Sequence, residues 1–147
     1  MRGSLFSAKT EYACEAMLEL AARHGDPNPI RLKTIADAHG IPERFLVQIL
    51  LQLKTAGLIA STRGASGGYQ LTRDPDQITL ADIVGIVEYA ETSENRAPEK
   101  RDLSPAKIAI RDLWNEISDA QQAILEGTTL AQLKERTQSP EEMTYSI

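Results

Sequence analysis

The sequence has almost no cysteine and no hydrophobic segment long enough to cross a bilayer. Cys14 is the one cysteine among 147 residues, which excludes a disulfide within the chain and favours a reducing compartment. No apolar run approaches the roughly 20 residues of a membrane helix, and the N-terminus lacks the apolar core of a secretory signal. We therefore expect a cytoplasmic protein without membrane association. Residues 1–4 read Met-Arg-Gly-Ser, as an expression vector can leave, and are set aside.

The sequence also lacks the motifs of common enzymes. It contains no nucleophile elbow, no phosphate-binding loop and no cluster of metal ligands. The glycine-rich run from Gly64 to Gly68 has no lysine after its glycines and does not open a helix, which argues against nucleotide binding. His24 and His39 are too few and too far apart in sequence for a metal site, and we interpret them as polar surface residues. We predict a protein that is not an enzyme and carries no cofactor.

An excess of positive charge is missing as well, since the net charge is −5. The charge is unevenly distributed: residues 1–75 contain nine Lys/Arg and seven Asp/Glu, a net charge of +2, whereas residues 76–147 contain seven and fourteen, a net charge of −7. The acidic groups therefore lie mainly in the second half. For nucleic-acid binding, a local basic face matters more than the total charge.

The first half shows three helical patterns followed by a hairpin. We predict helices over about residues 8–24, 32–38 and 43–55, the last with Phe45, Leu46, Ile49, Leu50 and Leu53 inward. Two short strand-like runs, 58–62 and 69–72, flank Arg63 and the glycines, which is typical of a β-hairpin with a mobile tip. A helix follows near residues 80–89, after a Thr79 and Asp82 pair typical of a capping box. The predicted fold class is mainly α with a small β-hairpin wing, a winged helix-turn-helix.

The second half is predicted to mediate dimerisation. Residues 91–103 are polar and read as a flexible loop, and Ser104-Pro105 begins a long helix that ends before Gly127. This helix carries apolar residues over two faces, more than a small domain can bury, and a second copy is the simplest cover: Ile108, Ile110, Leu113, Trp114, Ile117 and Ile124. We assign 5–90 to a DNA-binding domain, 104–136 to a dimerisation helix with a short C-terminal helix capped by Thr129, and 137–147 to a tail.

Several segments, taken in order, resemble the Rrf-two family of bacterial winged-helix regulators. They are Ala8–Ala13, Leu32–Ala36, Phe45–Leu50, Leu53–Ile59, Arg63–Tyr69 and Gly127–Ala131. The resemblance runs from about Leu5 to Leu133, and the join from Ala-Gly-Leu-Ile to Arg-Gly-x-x-Gly-Gly-Tyr is its most specific part. It implies a homodimer crossed through the long helix, a recognition helix in the major groove, a wing arginine in the minor groove, and transcriptional control, usually repression, at a palindromic operator on double-stranded DNA.

Candidate DNA contacts follow from residue type and position. Gln48 can pair with adenine in two hydrogen bonds, and Arg44 can reach a guanine edge or a phosphate. Val47 stands where the best-known cluster-binding member of the family has glutamate; a valine can contact a thymine methyl group instead. Five further residues, with solvated surface positions as the alternative, are candidates for backbone contacts: Lys33, Thr34, Lys54, Lys9 and Tyr12.

Arg63 is the candidate for the minor groove, whose negative potential attracts a guanidinium. The alternative is an ion pair between Arg63 and Asp74 or Glu43 within the protein. We interpret Gly64, Gly67 and Gly68 as conformational residues that let the wing approach the DNA backbone.

The signal that controls the protein is less defined by the sequence. Family sensors hold an iron–sulfur cluster through three cysteines before the long helix, and this chain has none there; we predict no such cluster. The chain is identified as a cysteine-poor member, closer to the cysteine-metabolism repressor than to the iron–sulfur cluster regulator. We expect Cys14 to be a buried apolar residue without redox function. A small-molecule effector, a partner protein and constitutive action all remain open, as does the alternative of a winged helix that binds only proteins.

Overall fold

The computed structural model of the chain describes residues 5–88 and 104–138. The described chain forms six α-helices, a two-stranded antiparallel hairpin and one 3-10 turn. In chain order they are α1 (Ala8–Ala22), α2 (Leu32–His39), α3 (Glu43–Thr55), β1 (Ile59–Thr62), β2 (Gly68–Leu71), the 3-10 turn (Pro75–Gln77), α4 (Leu80–Val87), α5 (Pro105–Glu126) and α6 (Leu130–Thr137). This confirms the predicted fold class. The predicted loop 91–103 and nearly all of the tail lie outside the described residues.

Side-chain caps fix where four of these helices begin. The Ser7 and Ser104 hydroxyls accept hydrogen bonds from the backbone N–H groups of Thr10 and Lys107. Thr79 and Thr129 form full capping boxes, in which the side chain of the third helical residue also accepts from the backbone of the cap. Each cap typically stabilises a helix by about 1 kcal/mol. The predicted capping box at Thr79 and the predicted cap at Thr129 are confirmed.

The core lies where α1 meets α2, α3, α4 and α6. The inner face of α1 is buried, and α3 contributes Leu46, Ile49, Leu50 and Leu53, each fully buried. The prediction for Phe45 is wrong, because this side chain is 40% exposed. At about 100° per residue, position 45 lies off the line of buried positions. Its ring is instead partly covered by the Tyr12 ring, with centroids 6.4 Å apart.

The hairpin is anchored to the body by a third backbone segment. β1 and β2 pair antiparallel, with Ile59 opposite Leu71 and Thr62 opposite Gly68. Ile30, which precedes α2, pairs with Tyr69: the Ile30 N–H donates to the Tyr69 carbonyl at 3.0 Å, and the Tyr69 N–H donates to the Ile30 carbonyl at 2.8 Å. The tip-side end of β2 is therefore fixed to the chain that enters α2.

The long helix α5 stands apart from this core, whereas α6 returns to it. No residue of α5 is buried. At its far end, Thr79 and Thr129 form an antiparallel bridge, in which Leu80 N–H donates to Thr128 and Leu130 N–H donates to Ile78, both at 2.9 Å. Leu130 is fully buried in the core. In the part of the chain that the structure describes, no helix is long and apolar enough to span a membrane.

A carboxylate from the end of α4 holds the start of α1. The Thr10 hydroxyl donates to Glu88 Oε1 at 2.6 Å, and the Ser7 hydroxyl and backbone N–H donate to the same oxygen at 3.0 and 3.2 Å. The Thr10 hydrogen bond, helped by those from Ser7, lowers the pKa of Glu88 from its usual 4.5. A negative charge at a helix N-terminus is also favourable to the helix dipole.

Glu88→Gln is therefore expected to lower the free energy of unfolding at pH 7 by up to about 1 kcal/mol. Because the pKa of Glu88 is lowered on folding, its charge contributes fully above about pH 4.5 and its contribution is lost as the pH falls below that value. The gap between variant and parent should thus close in acid. Urea denaturation from pH 7 to pH 3 measures it, with the exposed Glu135→Gln as control. A gap independent of pH would contradict this assignment.

Candidate nucleic-acid interface

Helices α2 and α3 form a helix-turn-helix. Gly40 ends α2 in the left-handed conformation, with φ of 65°, and the Ile41 N–H donates to the Ala36 carbonyl at 3.0 Å. The left-handed backbone conformation carries little energetic cost for glycine, which has no Cβ atom. Ile41 is buried at the corner, and Pro42 occupies the N-cap position of α3 without a side-chain cap. The turn thus sets α3 against α2 with one face of α3 free.

The free face of α3 carries the three predicted base contacts. Arg44, Val47 and Gln48 are all exposed, and Val47 is 51% exposed. The Arg44 guanidinium lies over the Phe45 ring, 5.4 Å from its centroid, a cation–π contact that leaves its N–H groups available. Lys54 is exposed in the last turn of the same helix. The structure therefore brings these side chains together on one solvent-facing surface.

The other predicted backbone contacts lie on α1 and α2. Lys33 is exposed and forms an ion pair with Asp37 at 3.4 Å, one turn along α2. Exposed pairs of this kind are weak, so a phosphate can compete for the lysine. Thr34 is half-buried beside it. Tyr12 and Lys9 are half-buried on α1, and the contact of Tyr12 with Phe45 places this part of α1 next to the start of α3.

The wing presents Arg63 to solvent without an ion pair in the described ranges. Of the two carboxylates considered from sequence, Asp74 pairs with His24 at 2.9 Å, and Glu43 lies in no ion pair with Arg63. A cleft of about 470 Å³ opens between the wing and the start of α2 and is lined by both Arg63 and Arg31. The guanidinium of Arg63 is thus available to an anionic partner.

Sequence reasoning missed Arg31. Its guanidinium donates a hydrogen bond from Nη2 to the backbone carbonyl of Ala65 in the wing tip. Arg31 also occupies the N-cap position of α2 without making a side-chain cap. Ser, Thr, Asp and Asn are the usual N-cap residues. An arginine at the N-cap of α2 is therefore the feature of the sequence that could have indicated a role outside capping. Arg31 holds the tip of the wing to the start of α2.

Two of the three wing glycines have a steric reason within the protein. A Cβ atom on Gly67 would lie 2.0 Å from the Thr62 carbonyl oxygen, and one on Gly68 would lie 2.4 Å from the Ile30 carbonyl oxygen. Gly64 has open space around it but adopts φ of 105°, which side chains disfavour. The folded wing itself therefore requires glycine at these positions, independently of any DNA.

The cysteine and histidine residues make no site together. Burial raises the pKa of the Cys14 thiol to about 11, with further increases from Glu15 and Glu11, so the thiol is protonated and unreactive at neutral pH. His39 contacts Glu19 at 2.9 Å, and His24 contacts Asp74. Within residues 5–88 and 104–138 no group of three or more His, Cys, Asp or Glu side chains could hold a metal ion.

The sequence matches one protein family and individual regulators over most of its length. The profile of Rrf2, the Rrf-two family, is described as an iron-dependent transcriptional regulator and matches residues 6–136. The HTH-type transcriptional regulator CymR of Bacillus subtilis is 38% identical over 92% of this chain and 94% of its own length. The regulator IscR of Aliivibrio salmonicida is 30% identical over 86% of this chain and 75% of its own length.

The chain is also similar to solved structures of CymR and IscR. The structure of CymR, the global cysteine regulator of B. subtilis, matches with a TM-score of 0.75 and 38% identity, over 91% of this chain and 98% of that one. IscR of T. potens matches with a TM-score of 0.75 and 32% identity, over 92% and 89%.

The family is described as iron-dependent, but this chain has too few cysteines to hold a cysteine-ligated iron–sulfur cluster. Such clusters are usually held by several thiolates, and the sequence contains one cysteine, which is half-buried and protonated at neutral pH. The chain shares the winged-helix fold of these relatives, which are regulators rather than enzymes. The chain belongs to the Rrf2 family and is a DNA-binding transcriptional regulator.

Proposed function

We propose that the protein is a homodimeric repressor that binds a palindromic operator in the cytoplasm. The observation that carries the proposal is the apolar surface of α5. Six large apolar side chains on this helix are between 46% and 69% exposed in the single chain: Ile108, Ile110, Leu113, Trp114, Ile117 and Ile124. Exposed large apolar side chains grouped on one helix mark an interaction site.

Five of these six side chains fall on one side of α5. At about 100° per residue, Ile110, Leu113, Trp114, Ile117 and Ile124 lie within an arc of roughly 100°, and Ile108 lies outside it. We call the five residues the α5 arc. A helix that presents such an arc along its length is suited to pack against another helix. A second copy of α5 is the partner we propose, since most oligomers of soluble proteins are two-fold symmetric.

A two-fold dimer would bind an operator with matching two-fold symmetry. The two copies of α3 and of the wing would be related by the same axis, and a DNA site with half-sites related by that axis matches them. We assign α3, through Arg44, Val47 and Gln48, to the major groove, and Arg63 to the minor groove. The phosphate contacts are assigned to a set on α1, α2 and α3: Lys9, Tyr12, Lys33, Thr34 and Lys54.

These assignments divide the chain into a DNA-binding segment, a dimerisation segment, a connecting segment and a tail. Residues 5–90 read DNA, 104–136 dimerise, and 91–103 and 137–147 connect and extend them. Repression is proposed from the family resemblance. A small molecule, a partner protein and constitutive action are the candidate control inputs. The acidic second half of the chain, with a net charge of −7, suits a basic partner surface.

Arg63→Ala is expected to weaken operator binding at least tenfold without changing the unfolding midpoint. The side chain is exposed and unpaired in the described ranges, so its loss removes a DNA contact and no internal one. The dependence of affinity on salt should also become shallower by about one counterion for each wing. Fluorescence anisotropy over a salt series on an operator selected from genomic fragments measures both quantities.

Arg73→Ala is the matched control, because Arg73 is an exposed arginine at the end of the hairpin away from the tip. It should bind like the parent. Equal affinity and equal salt dependence of Arg63→Ala and Arg73→Ala would refute the role of Arg63.

A further inference from the structure

Leu51 is an apolar residue at the middle of the exposed face of α3. It is 61% exposed, and Val47, one turn earlier, is 51% exposed. At about 100° per residue, Leu51 lies roughly 20° from Arg44 around the helix axis and roughly 60° from Gln48. The buried residues of α3 lie on the opposite side: Leu46, Ile49, Leu50 and Leu53. Leu51 thus stands among the residues assigned to the major groove.

Phe45, the third exposed apolar residue of α3, contacts other side chains of the protein. Phe45 lies against the Tyr12 ring and under the Arg44 guanidinium. Leu51 and Val47 point away from the core, on the side that carries Arg44 and Gln48. Within the base pattern of the major groove, the apolar group is the C5 methyl of thymine. A leucine and a valine one turn apart are matched to such methyl groups.

The neighbouring glutamine favours the same bases. If Gln48 pairs with adenine, the partner base is thymine, and its methyl group lies in the same groove. Residues 47 and 51 are separated by about 6 Å along the helix axis, and successive bases are about 3.4 Å apart. The two side chains therefore span about two base steps around the adenine.

We propose that Leu51 and Val47 read thymine methyl groups in each half-site, beside the adenine bound by Gln48. The proposal rests on the docking of α3 in the major groove proposed above. It assigns Leu51 as a specificity residue and predicts at least two thymines within about three base pairs of the half-site. Burial of one methyl group corresponds to about a fourfold change in affinity.

Deoxyuridine substitution tests the proposal directly, because deoxyuridine keeps the hydrogen-bonding groups of thymine and lacks the methyl. Each thymine of a selected operator half-site is replaced in turn, and the affinity is measured for the full-length parent, Leu51→Ala and Val47→Ala. The parent should lose about fourfold at two positions and little elsewhere. Because both subunits carry the substitution, Leu51→Ala should lose about fourfold in each half-site of the thymine operator, about sixteenfold in all. It should also be insensitive to deoxyuridine at one of those positions, and Val47→Ala at the other.

Leu5→Ala is the control, since Leu5 is 80% exposed and lies outside α3; it should keep the parent's response to every substitution. If the parent binds all deoxyuridine operators as tightly as the thymine operator, the methyl contacts are refuted while operator binding stands. If Leu51→Ala still senses the same methyl groups as the parent, the role of Leu51 is refuted. If the parent binds no genomic duplex, the proposed function itself fails.

Discussion

Ile117→Asp is expected to leave the protein monomeric at micromolar concentration and to abolish operator binding where the parent is saturated. Ile117 lies near the centre of the α5 arc and is 47% exposed in the single chain. A two-fold dimer would bury two copies of the new carboxylate, and an unpaired buried charge costs several kcal/mol. Self-association should therefore weaken at least a hundredfold.

The monomer should keep its fold, because α5 contributes no buried residue to the core. Sedimentation velocity over a concentration series gives the oligomeric state, and a gel shift on the same samples gives operator binding. Asn115→Asp is the control: it adds the same charge to the same helix, roughly 160° around the axis from Ile117. If both variants stay dimeric, the α5 arc is not the interface.

Gly67→Ala should have the second large effect, on the wing. The added Cβ would lie 2.0 Å from the Thr62 carbonyl oxygen and 2.9 Å from the carbonyl carbons of Thr62 and Arg63. All three are backbone atoms, which cannot rotate away as a side chain can. The hairpin must shift, and the Gly67 N–H bond to the Gly64 carbonyl, now 3.0 Å, is lost or distorted. We expect about 1–3 kcal/mol of destabilisation and more than a tenfold loss of operator affinity.

Gly85→Ala separates this clash from a general effect of replacing glycine. Gly85 is exposed inside α4, and a Cβ there meets no atom within 4 Å. Alanine should stabilise the helix by up to about 1 kcal/mol and leave operator binding unchanged. Urea denaturation and anisotropy on both variants decide the matter. A Gly67→Ala protein that unfolds and binds like the parent would contradict the steric argument.

Local signals in the sequence were sufficient for most of the fold. The bounds of α3, Glu43–Thr55, are those predicted, because Pro42 and Gly57 limit the helix on both sides. α1 ends at Ala22, two residues before the predicted end, since Arg23 already leaves helical geometry. Helical periodicity identified the core face of α3 apart from Phe45, whose position depends on the neighbouring ring of Tyr12.

Contacts between distant residues were beyond the sequence. The hydrogen bond from Arg31 to Ala65, the pairing of Ile30 with Tyr69 and the hydrogen bonds of Glu88 join segments 34, 39 and 78 or more positions apart. No periodicity or motif reports such pairs. The same applies to the candidate site. Residue type indicated Arg44, Gln48 and Arg63, whereas the support of the wing by Arg31 depends on the folded chain, which brings Arg31 to Ala65.

Leu130 ties the two roles of the chain into one folding unit. Its side chain is fully buried in the core built by the first half, although it belongs to the segment assigned to dimerisation. Removing a leucine of this kind from a core costs about 2–5 kcal/mol. A DNA-binding fragment truncated after residue 90 would lack Leu130 and have a cavity in its core. The proposed functional boundary is therefore not a boundary between independently folding domains.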